Sequence, residues 1–391
     1  MTRGIYLDYA STAPLDPRVA AAMHEAMLAG YANPASQHQA GRVARRALEQ
    51  AREEIGELLQ VSRPGRPSDR VVFTSGGTEA NNLALLGLAG RTPGRVIISA
   101  IEHPSVMGAA EELARRGFQI DRIRVSPGGV CDLNHLEALL AESPRPRLVS
   151  MMLLNNETGV IQPVGEAAQL CHSLGVPLHT DAVQCPQYRL GKDRSHGALA
   201  FLAATTITAH KLHGPLGIGA LLLREDAKLD PQLFGGFQQG GLRPGTESVM
   251  LAVGFREALA NRQADLAMSQ YDLRRSQFES MLQEQLDDIV IAGELEDRLF
   301  ISNIAFVGVD RQQLLMALDF AGVYCSTGSA CASGSSEPSP VLQAMGLPDD
   351  VVASSLRFSF GAPTTSGDVE EAASRIINCV HDLRAKKSVR K

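Results

Sequence analysis

Residues 70–90 read RVVFTSGGTEANNLALLGLAG, an apolar run, a Gly-Gly turn and a helical pattern in direct succession. An apolar run followed by a helical pattern recurs in RVIISAIEH (95–103) before SVMGAAEELARRG (105–117), and in RLVSMMLLNNE (147–157) before VGEAAQLCHSLG (164–175). Strands that alternate with helices predict a mainly parallel sheet covered by helices on both faces. We therefore expect a three-layer α/β domain and place it at residues 16–255.

The pattern changes after Thr246. A long helical segment, 248–286, leads to apolar runs such as RLFISNIAFVG and ASSLRFSFG, which alternate with helical patterns. This arrangement predicts a smaller α+β domain, built from residues 1–15 and 256–391.

Composition narrows the class of protein. The chain has 391 residues, of which 44% are hydrophobic and 20% are charged, as in ordinary globular proteins and unlike disordered or fibrous ones. A net charge of -6 gives no broadly basic surface, so we expect no direct nucleic-acid binding. The basic stretch RAKKSVRK (384–391) is interpreted as a solvated terminus.

Cysteine usage and hydropathy indicate the compartment. The stretch MTRGIYLDYAST is not an apolar signal segment, and no run is long enough to cross a bilayer, so we expect no membrane association. Six cysteines lie at positions 131, 171, 185, 325, 331 and 379, without CxxC spacing. Scattered thiols in a chain of this length favour a reduced, cytoplasmic protein and no zinc site.

Lys211 is the only charged residue between Arg194 and Arg224. It lies in FLAATTITAHKLHGPLGIGALLL (201–223), which predicts two buried strands around a Gly-rich turn. Burial lowers the pKa of a lysine and makes its amine able to form a Schiff base with an aldehyde. The alternative is a lysine at a loop tip with its amine in water.

Two motifs at strand ends favour an anionic, aromatic ligand. TSGGTEANN (74–82) places Gly77 and Thr78 at a helix start, where backbone N–H groups can bind phosphate, although such a turn also serves as a plain helix cap. HTDAVQ (179–184) puts Asp181 after an apolar run, at the strand edge where open parallel sheets bind ligands. Asp181 can pair with a protonated ring nitrogen and Gln184 with a nearby oxygen, but a lone Asp there is also a common cap.

Further polar residues are predicted at the same edge. His103 follows one strand and Asn156 another, while Thr208 and His210 flank Lys211. A histidine at a strand end often has only a structural role. Taken together, a Schiff-base lysine, a carboxylate, a phosphate cradle and a histidine are what pyridoxal phosphate (PLP) requires.

The predicted small domain adds a thiol and a cation. VYCSTGSACASGSSEPSPVLQAMG (323–346) is poor in apolar area, and we expect a mobile loop at about 325–340. Cys325 continues an apolar run and is expected in the core, whereas Cys331 is expected to be exposed and reactive. Arg357 lies in an apolar run and needs an anion, either a substrate carboxylate or a structural Asp or Glu.

These motifs resemble the cysteine desulfurases, the class V branch of fold-type-I PLP enzymes. The resemblance runs nearly end to end, through YLDYASTAPLDPRV, NPASQH, VVFTSGGTEANNLA, EHPSV, NNETGVIQP, HTDAVQ, TAHKLHGPLGIGAL, GLRPGTES, STGSACASGSSEPS and LRFSFG. The long loop around SAC is similar to that of the housekeeping or nitrogen-fixation subgroup. The implied reaction converts L-cysteine to L-alanine and transfers sulfur to an enzyme cysteine as a persulfide.

The resemblance also implies a role for each candidate residue. Lys211 would hold the cofactor's aldehyde carbon and shuttle protons, His103 would stack on the ring, and Cys331 would attack the substrate sulfur. The cofactor-binding residues would be Gly77, Thr78, Asp181, Gln184, Thr208, His210 and Lys211, joined by Thr246 from the partner subunit of a homodimer. Asn156 and Arg357 would hold the substrate carboxylate.

Some positions depart from the family pattern. Phe237, Gln239 and Gly240 in GGFQQGG stand where the family has Gly, Glu and Arg. Leu216 in GPLG stands where Lys is usual, and Ala13 where Thr is common. These departures bear on the dimer-interface loop, the site entrance and the acceptor.

Several alternatives remain open from the sequence. Selenocysteine lysis, β-elimination and transamination use the same scaffold, and a PLP-bearing scaffold without turnover is a further possibility. A metal site at His210 and His213 lacks a carboxylate or thiol ligand at recognisable spacing. The sulfur acceptor could belong to iron–sulfur assembly, to tRNA thiolation or to DNA phosphorothioation.

Overall fold

A computed structural model describes residues 4–59, 70–185, 201–264, 268–293, 298–328 and 337–389. The helices are α1 Pro17–Leu28, α2 Gln39–Leu58, α3 Gly77–Ala89, α4 Pro104–Arg115, α5 Leu133–Ala141, α6 Val164–Ser173, α7 Val249–Ala264, α8 Met268–Gln285, α9 Arg311–Phe320, α10 Pro340–Ala344, α11 Asp349–Ala353 and α12 Ser366–Val389. The strands are β1 Ile5–Tyr6, β2 Arg70–Thr74, β3 Arg95–Ser99, β4 Gln119–Ile123, β5 Pro146–Ser150, β6 Leu178–Asp181, β7 Ala204–Thr208, β8 Gly219–Leu223, β9 Ile289–Ala292, β10 Ile301–Phe306, β11 Val323–Tyr324 and β12 Ser355–Ser359.

The central layer is a seven-stranded sheet in the order β2-β8-β7-β6-β5-β3-β4. Every neighbouring pair from β7 to β4 is parallel, whereas β8 runs antiparallel to both β2 and β7. The predicted mainly parallel sheet is therefore confirmed. Because β2 is parallel to β7, the carboxyl ends of β2, β3, β5, β6 and β7 all meet at one edge of the sheet.

Helices cover both faces of this sheet. Successive strand side chains point to opposite faces, and both sets are buried here: Ile97 packs with α1, α2, α6 and α7, while Val96 and Ile98 pack with α3 and α4. A sheet buried on both faces needs strands that are apolar throughout, which explains the continuous runs RVIIS and GALLL in β3 and β8.

A second core lies around the antiparallel sheet β12-β10-β9. It includes Phe278 of α8, Leu314 of α9 and Ile376 of α12, together with Ile5 and Leu7 from the N-terminal segment. The N-terminal strand β1 reaches this core by pairing in parallel with β11. The segment predicted as one long helical run, 248–286, contains two helices, α7 and α8.

His179 in β6 joins three strands of the large sheet beneath the carboxyl edge. Its Nδ1 lies 3.0 Å from Ser150 Oγ and its Nε2 lies 3.0 Å from Thr206 Oγ1. The ring is fully buried, and burial lowers the pKa of His179 to about 4, although Asp181 opposes the shift. The neutral ring is therefore part of the folded core.

This lowered pKa makes the protein less stable in acid. Above the ordinary histidine pKa, the His179 ring is neutral in both the folded and the unfolded state, and its titration costs no stability. As pH falls toward about 4, the unfolded state binds a proton and the folded state does not, so the free energy of unfolding decreases. Up to roughly 3 kcal/mol of stability is lost across that window. His179→Asn should show a smaller drop in Tm between about pH 7.5 and about pH 5 than the wild type. The exposed His381, changed to Asn, is the control and should leave the drop unchanged; equal drops in all three proteins would contradict the assignment.

Candidate functional site

A cavity of about 190 Å³ opens at the carboxyl edge of the large sheet. Nine of the residues predicted from the sequence line it: Gly77, Thr78, His103, Asn156, Asp181, Gln184, Thr208, His210 and Lys211. They come from the segments after β2, β3, β5, β6 and β7, which the parallel sheet brings to one place. The structure thus gathers most of the predicted site.

Lys211 follows β7 and is partly buried in the cavity wall. Its Nζ donates a hydrogen bond to the carbonyl of Ala10. The same carbonyl accepts from Gln184 Nε2 at 3.0 Å. One backbone oxygen of the N-terminal segment therefore orients both the lysine amine and the Gln184 amide.

Asp181 ends β6 and is 6% exposed. Its Oδ1 accepts from the backbone N–H of Val183 at 2.9 Å, and its Oδ2 accepts from Asn81 Nδ2 at 2.7 Å. Neither donor carries a full charge. A cationic ring nitrogen in the cavity would therefore supply the charge partner that this buried carboxylate lacks among its hydrogen-bond donors.

The start of α3 can bind a phosphate group. Its N-cap, Gly76, has no side chain to satisfy the first turn, so the N–H groups of Gly77 and Thr78 are available to an anion. Thr208 Oγ1 donates to the Ile218 carbonyl at 3.1 Å. His210 Nδ1 lies 2.8 Å from Thr12 Oγ1, and burial, together with Lys211, lowers the pKa of His210 to about 4.

His103 is the N-cap of α4, and its Nδ1 accepts from the backbone N–H of Ser105 at 3.1 Å. Burial lowers the pKa of His103, and the positive charges of Lys211 and Arg357 act in the same direction, while Asp181 opposes them. Capping fixes the ring where it lines the cavity, so the structural role of this histidine is compatible with the predicted functional one.

Arg357 does not line the cavity but contacts two residues that do. Its Nη2 bonds Ser11 Oγ at 2.6 Å and pairs with Asp8 Oδ1 at 2.8 Å, and its Nη1 donates to the Asn156 carbonyl at 3.0 Å. Its Nε is buried and has no hydrogen-bond partner in the part of the chain that the structure describes. Arg357 thus already has the structural Asp that the sequence left open, and it keeps a donor for a further anion.

Two of the predicted residues, Thr246 and Cys325, are not among the residues that line this cavity. Thr246 is exposed outside it. Cys331 and the middle of the predicted loop, residues 329–336, lie outside the described residues. Cys325 packs against the second core, and burial raises the pKa of its thiol far above the ordinary value, as expected for a core cysteine.

The unusual GGFQQGG loop has a specific local partner. Gln239 Oε1 accepts from the Phe73 backbone N–H at 2.6 Å, and its Nε2 donates to the Phe73 carbonyl at 2.9 Å. The side-chain amide thus pairs with the open edge of β2 as a neighbouring strand would. A glutamate at this position could accept but could not donate to that carbonyl, which explains why Gln suits this chain.

Sequence reasoning missed four residues of the site. Ser11 lines the cavity, Asp8 holds Arg357, and Asn81 and Ser105 line the cavity beside Asp181 and His103. Asn81 lies one helical turn after Gly77, so its position on the ligand side of α3 could have been read from the spacing. The Asp8–Arg357 contact spans 349 positions and has no local signal.

In the described ranges no three His, Cys, Asp or Glu side chains form a metal-binding group. His213 Nδ1 instead lies 2.8 Å from the Pro14 carbonyl. Among the same residues, no helix is both long and apolar enough to span a bilayer.

The residues present fit PLP. Asn81 Oδ1 is a buried polar atom without a partner in the described structure, in the wall of a cavity that also holds an amine, a carboxylate and an uncapped helix start. These groups match the aldehyde, ring nitrogen and phosphate of the cofactor. Fold and site together define a PLP-dependent enzyme of fold type I.

Comparisons with known proteins agree with this class of enzyme. The family described as aminotransferase class-V matches residues 5–371. The cysteine desulfurase IscS of Dictyoglomus turgidum is 35% identical over 98% of this chain and 96% of its own. A NifS-like protein from Rickettsia africae has a structure similar to this one, with a TM-score of 0.86 and 30% identity, covering 97% of this chain and all of the other. A structure titled SspA in complex with cysteine has a TM-score of 0.77 and 29% identity over 91% of this chain and 98% of its own.

The chain therefore belongs to the class-V aminotransferase family. Within that family it is one of the cysteine desulfurases, sulfurtransferases whose cofactor is pyridoxal 5'-phosphate. These relatives do not favour selenocysteine lysis, transamination or a scaffold without turnover.

Proposed function

We propose that this chain cleaves the C–S bond of L-cysteine, releases L-alanine and carries the sulfur on Cys331 as a persulfide to an acceptor. The thiol of Cys331 and the substrate together become a persulfide and alanine, so atoms and electrons balance without an added oxidant. The observation that supports this best is the convergence of Lys211, Asp181 and His103 in one cavity beside Arg357.

Each residue has a role that follows from its contacts. The PLP ring, when bound, is an electron sink that stabilises negative charge on the substrate's α-carbon. Asp181, oriented by Val183 and Asn81, holds the ring nitrogen in its protonated form. Lys211 moves protons between the substrate's α-carbon and the cofactor. Gly77, Thr78, Thr208 and His210 hold the phosphate.

Arg357 and Asn156 bind the substrate carboxylate in this proposal. Because Asp8 and Ser11 fix one side of the guanidinium, its orientation does not depend on the substrate. Arg357→Lys keeps the charge but loses the planar fork, and is expected to raise KM for L-cysteine roughly 10- to 100-fold with a smaller change in kcat. Arg375→Lys, on α12, is the control. An unchanged KM in Arg357→Lys would contradict the carboxylate role.

Product analysis tests the reaction itself. Purified holoenzyme incubated with L-cysteine and a thiol reductant should release alanine and sulfide in equal amounts. Pyruvate and ammonia in place of alanine would show β-elimination instead. Alanine without persulfide on Cys331 would contradict the transfer step. The acceptor is a protein of iron–sulfur assembly or of a thiolation chain.

We also infer a homodimer, because the family resemblance assigns Thr246 to the phosphate, and Thr246 of the same chain does not line the cavity. The loop that leads to Thr246 exposes large apolar side chains, with Phe234 79% and Phe237 89% accessible, and Leu216 is 70% accessible. Exposed aromatic clusters of this kind commonly mark interfaces. A partner seated on this loop would bring its own Thr246 to the phosphate end of the cavity.

The dimer proposal predicts a change in mass and in cofactor retention. The double change Phe234→Ser, Phe237→Ser should shift the protein toward a monomer in light scattering and weaken PLP retention, because apolar contact area is lost. Phe320→Ser is the matched control, since Phe320 is 85% exposed on α9, away from this loop, and should leave the dimer intact. A double variant that stays dimeric with unchanged PLP affinity would contradict this interface.

The domain division and compartment remain our proposals. The division into 16–255 and 1–15 with 256–391 is supported by the apolar cores. The two cores on the large sheet have all their buried members between Val19 and Leu259, and the core around the antiparallel sheet takes all but Leu154 and Cys185 from 5–10 and 271–380. A smaller cluster joins the two units. A reducing, cytoplasmic compartment is supported by the thiols of Cys131, Cys171, Cys325 and Cys379, which form no disulfide among the described residues.

A further inference from the structure

Two polar side chains, Asn81 and Ser105, join Asp181 to His103 across the cavity wall. Asp181 Oδ2 accepts from Asn81 Nδ2 at 2.7 Å, Asn81 Nδ2 also bonds Ser105 Oγ at 2.8 Å, and Ser105 Oγ lies 2.7 Å from His103 Nδ1. Asn81 is 1% exposed and Ser105 8% exposed, so bulk water does not compete for these bonds.

The donor and the acceptor of each hydrogen bond between Asp181 and His103 follow from the chemistry of the groups. The Asp181 carboxylate can only accept, so the amide nitrogen of Asn81 must face it. A flipped amide would put two acceptor oxygens 2.7 Å apart. The unflipped amide leaves Asn81 Oδ1 buried and without a partner in the described structure, which is the cost of keeping the nitrogen on Asp181.

The same nitrogen donates to Ser105 Oγ, which must therefore accept there and give its only proton to His103 Nδ1. The backbone N–H of Ser105 donates to the same His103 Nδ1 at 3.1 Å. With two donors aimed at Nδ1, that atom is held as an acceptor, and the ring proton belongs on Nε2.

We propose that Asn81 and Ser105 are positioning residues. Because Asp181 orients the Asn81 amide and the amide orients the Ser105 hydroxyl, they hold His103 in one tautomer, neutral with its proton on Nε2. His103 then acts toward substrate as a hydrogen-bond and proton donor. It does not act as the base, which leaves proton abstraction to Lys211. This inference rests on the proposed role of His103 in the reaction.

The lowered pKa of His103 agrees with this arrangement. The charged groups that act on the ring are Asp181, Lys211 and Arg357, and of these only Asp181 favours the imidazolium. The charge of Asp181 thus raises the pKa of His103 through space, whereas the hydroxyl and backbone N–H of Ser105, which both donate to Nδ1, favour the neutral ring.

Nitrogen-15 NMR of the histidine-labelled holoenzyme tests the tautomer directly. The chain has 10 histidines, and His103→Gln assigns the signals of interest by their disappearance. In the wild type at neutral pH, Nδ1 of His103 should have the shift of an unprotonated nitrogen and Nε2 that of a protonated one. The reverse pattern, or an imidazolium, overturns the proposal.

Asn81→Asp is the first variant, because it keeps the shape of the side chain and removes the amide donors. The added carboxylate also raises the pKa of His103 through space, so the nitrogen that becomes protonated is the readout that decides. An aspartate, ionised or singly protonated, cannot donate to both Asp181 and Ser105, so the Ser105 proton turns toward it and Nδ1 is released. The pKa of His103 should rise by about one unit or more, with protonation appearing at Nδ1. Asn82→Asp, one residue along α3, is the matched control and should leave His103 unchanged.

Ser105→Ala gives a second, milder variant. It removes the hydroxyl donor and keeps the backbone one, so a smaller rise in the His103 pKa is expected. Unchanged His103 signals in both Asn81→Asp and Ser105→Ala overturn the proposed positioning role of Asn81 and Ser105. Alanine release from L-cysteine, measured on the same wild-type preparation, separates this failure from a failure of the proposed function.

Discussion

Replacing Lys211 by alanine is expected to lower turnover of L-cysteine by ~10³-fold or more, because the only amine found among the cavity-lining residues is removed. The protein should still fold, since Lys211 lies after β7 in a partly buried position and not in the apolar core. PLP should bind, but without a covalent link, and should be lost on gel filtration.

Two controls make this result specific. Lys228→Ala changes an exposed lysine and should leave turnover and cofactor retention unchanged. Adding a small primary amine to Lys211→Ala should restore part of the rate, since the missing group is an amine. A Lys211→Ala enzyme with normal turnover would remove the basis for the whole site.

Replacing Cys331 by alanine is expected to leave the cofactor in place and reduce sulfide and alanine formation by at least ~10²-fold, because no thiolate remains to take the substrate sulfur. The visible absorbance of bound PLP should match that of the wild type. This combination, full cofactor with lost transfer, separates the nucleophile from the cofactor site.

Cys325→Ala is the matched control for this prediction. Its thiol packs against the second core and burial raises its pKa, so it should cost stability, on the order of 1 kcal/mol, and leave turnover close to normal. Normal sulfur transfer by Cys331→Ala, or loss of transfer in Cys325→Ala at full stability, would contradict the assignment of the nucleophile.

The sequence was sufficient where function depends on strand ends. Asp181 and Lys211 each follow an apolar strand, and the parallel order of the sheet places such residues at one edge. The fold class and the gathering of these residues in one cavity were therefore predictable without coordinates.

The roles of residues that only orient other site residues could not be predicted from the positions of strand ends. Asp8 and Arg357 meet through the fold of the second core, and no local pattern connects them. Asn81 and Ser105 appear in the sequence as ordinary polar helix residues, and only hydrogen-bond directions reveal what they do. The roles of Thr246 in binding phosphate and of Cys331 in attacking the substrate sulfur come from the family resemblance.

The attachment of the cofactor is the most direct test of the central claim. Holoenzyme reduced with borohydride, digested and analysed by mass spectrometry should carry a pyridoxyl group on the peptide that contains Lys211 and on no other. A labelled peptide elsewhere in the chain, or an unlabelled Lys211 in protein that releases alanine from L-cysteine, would contradict it.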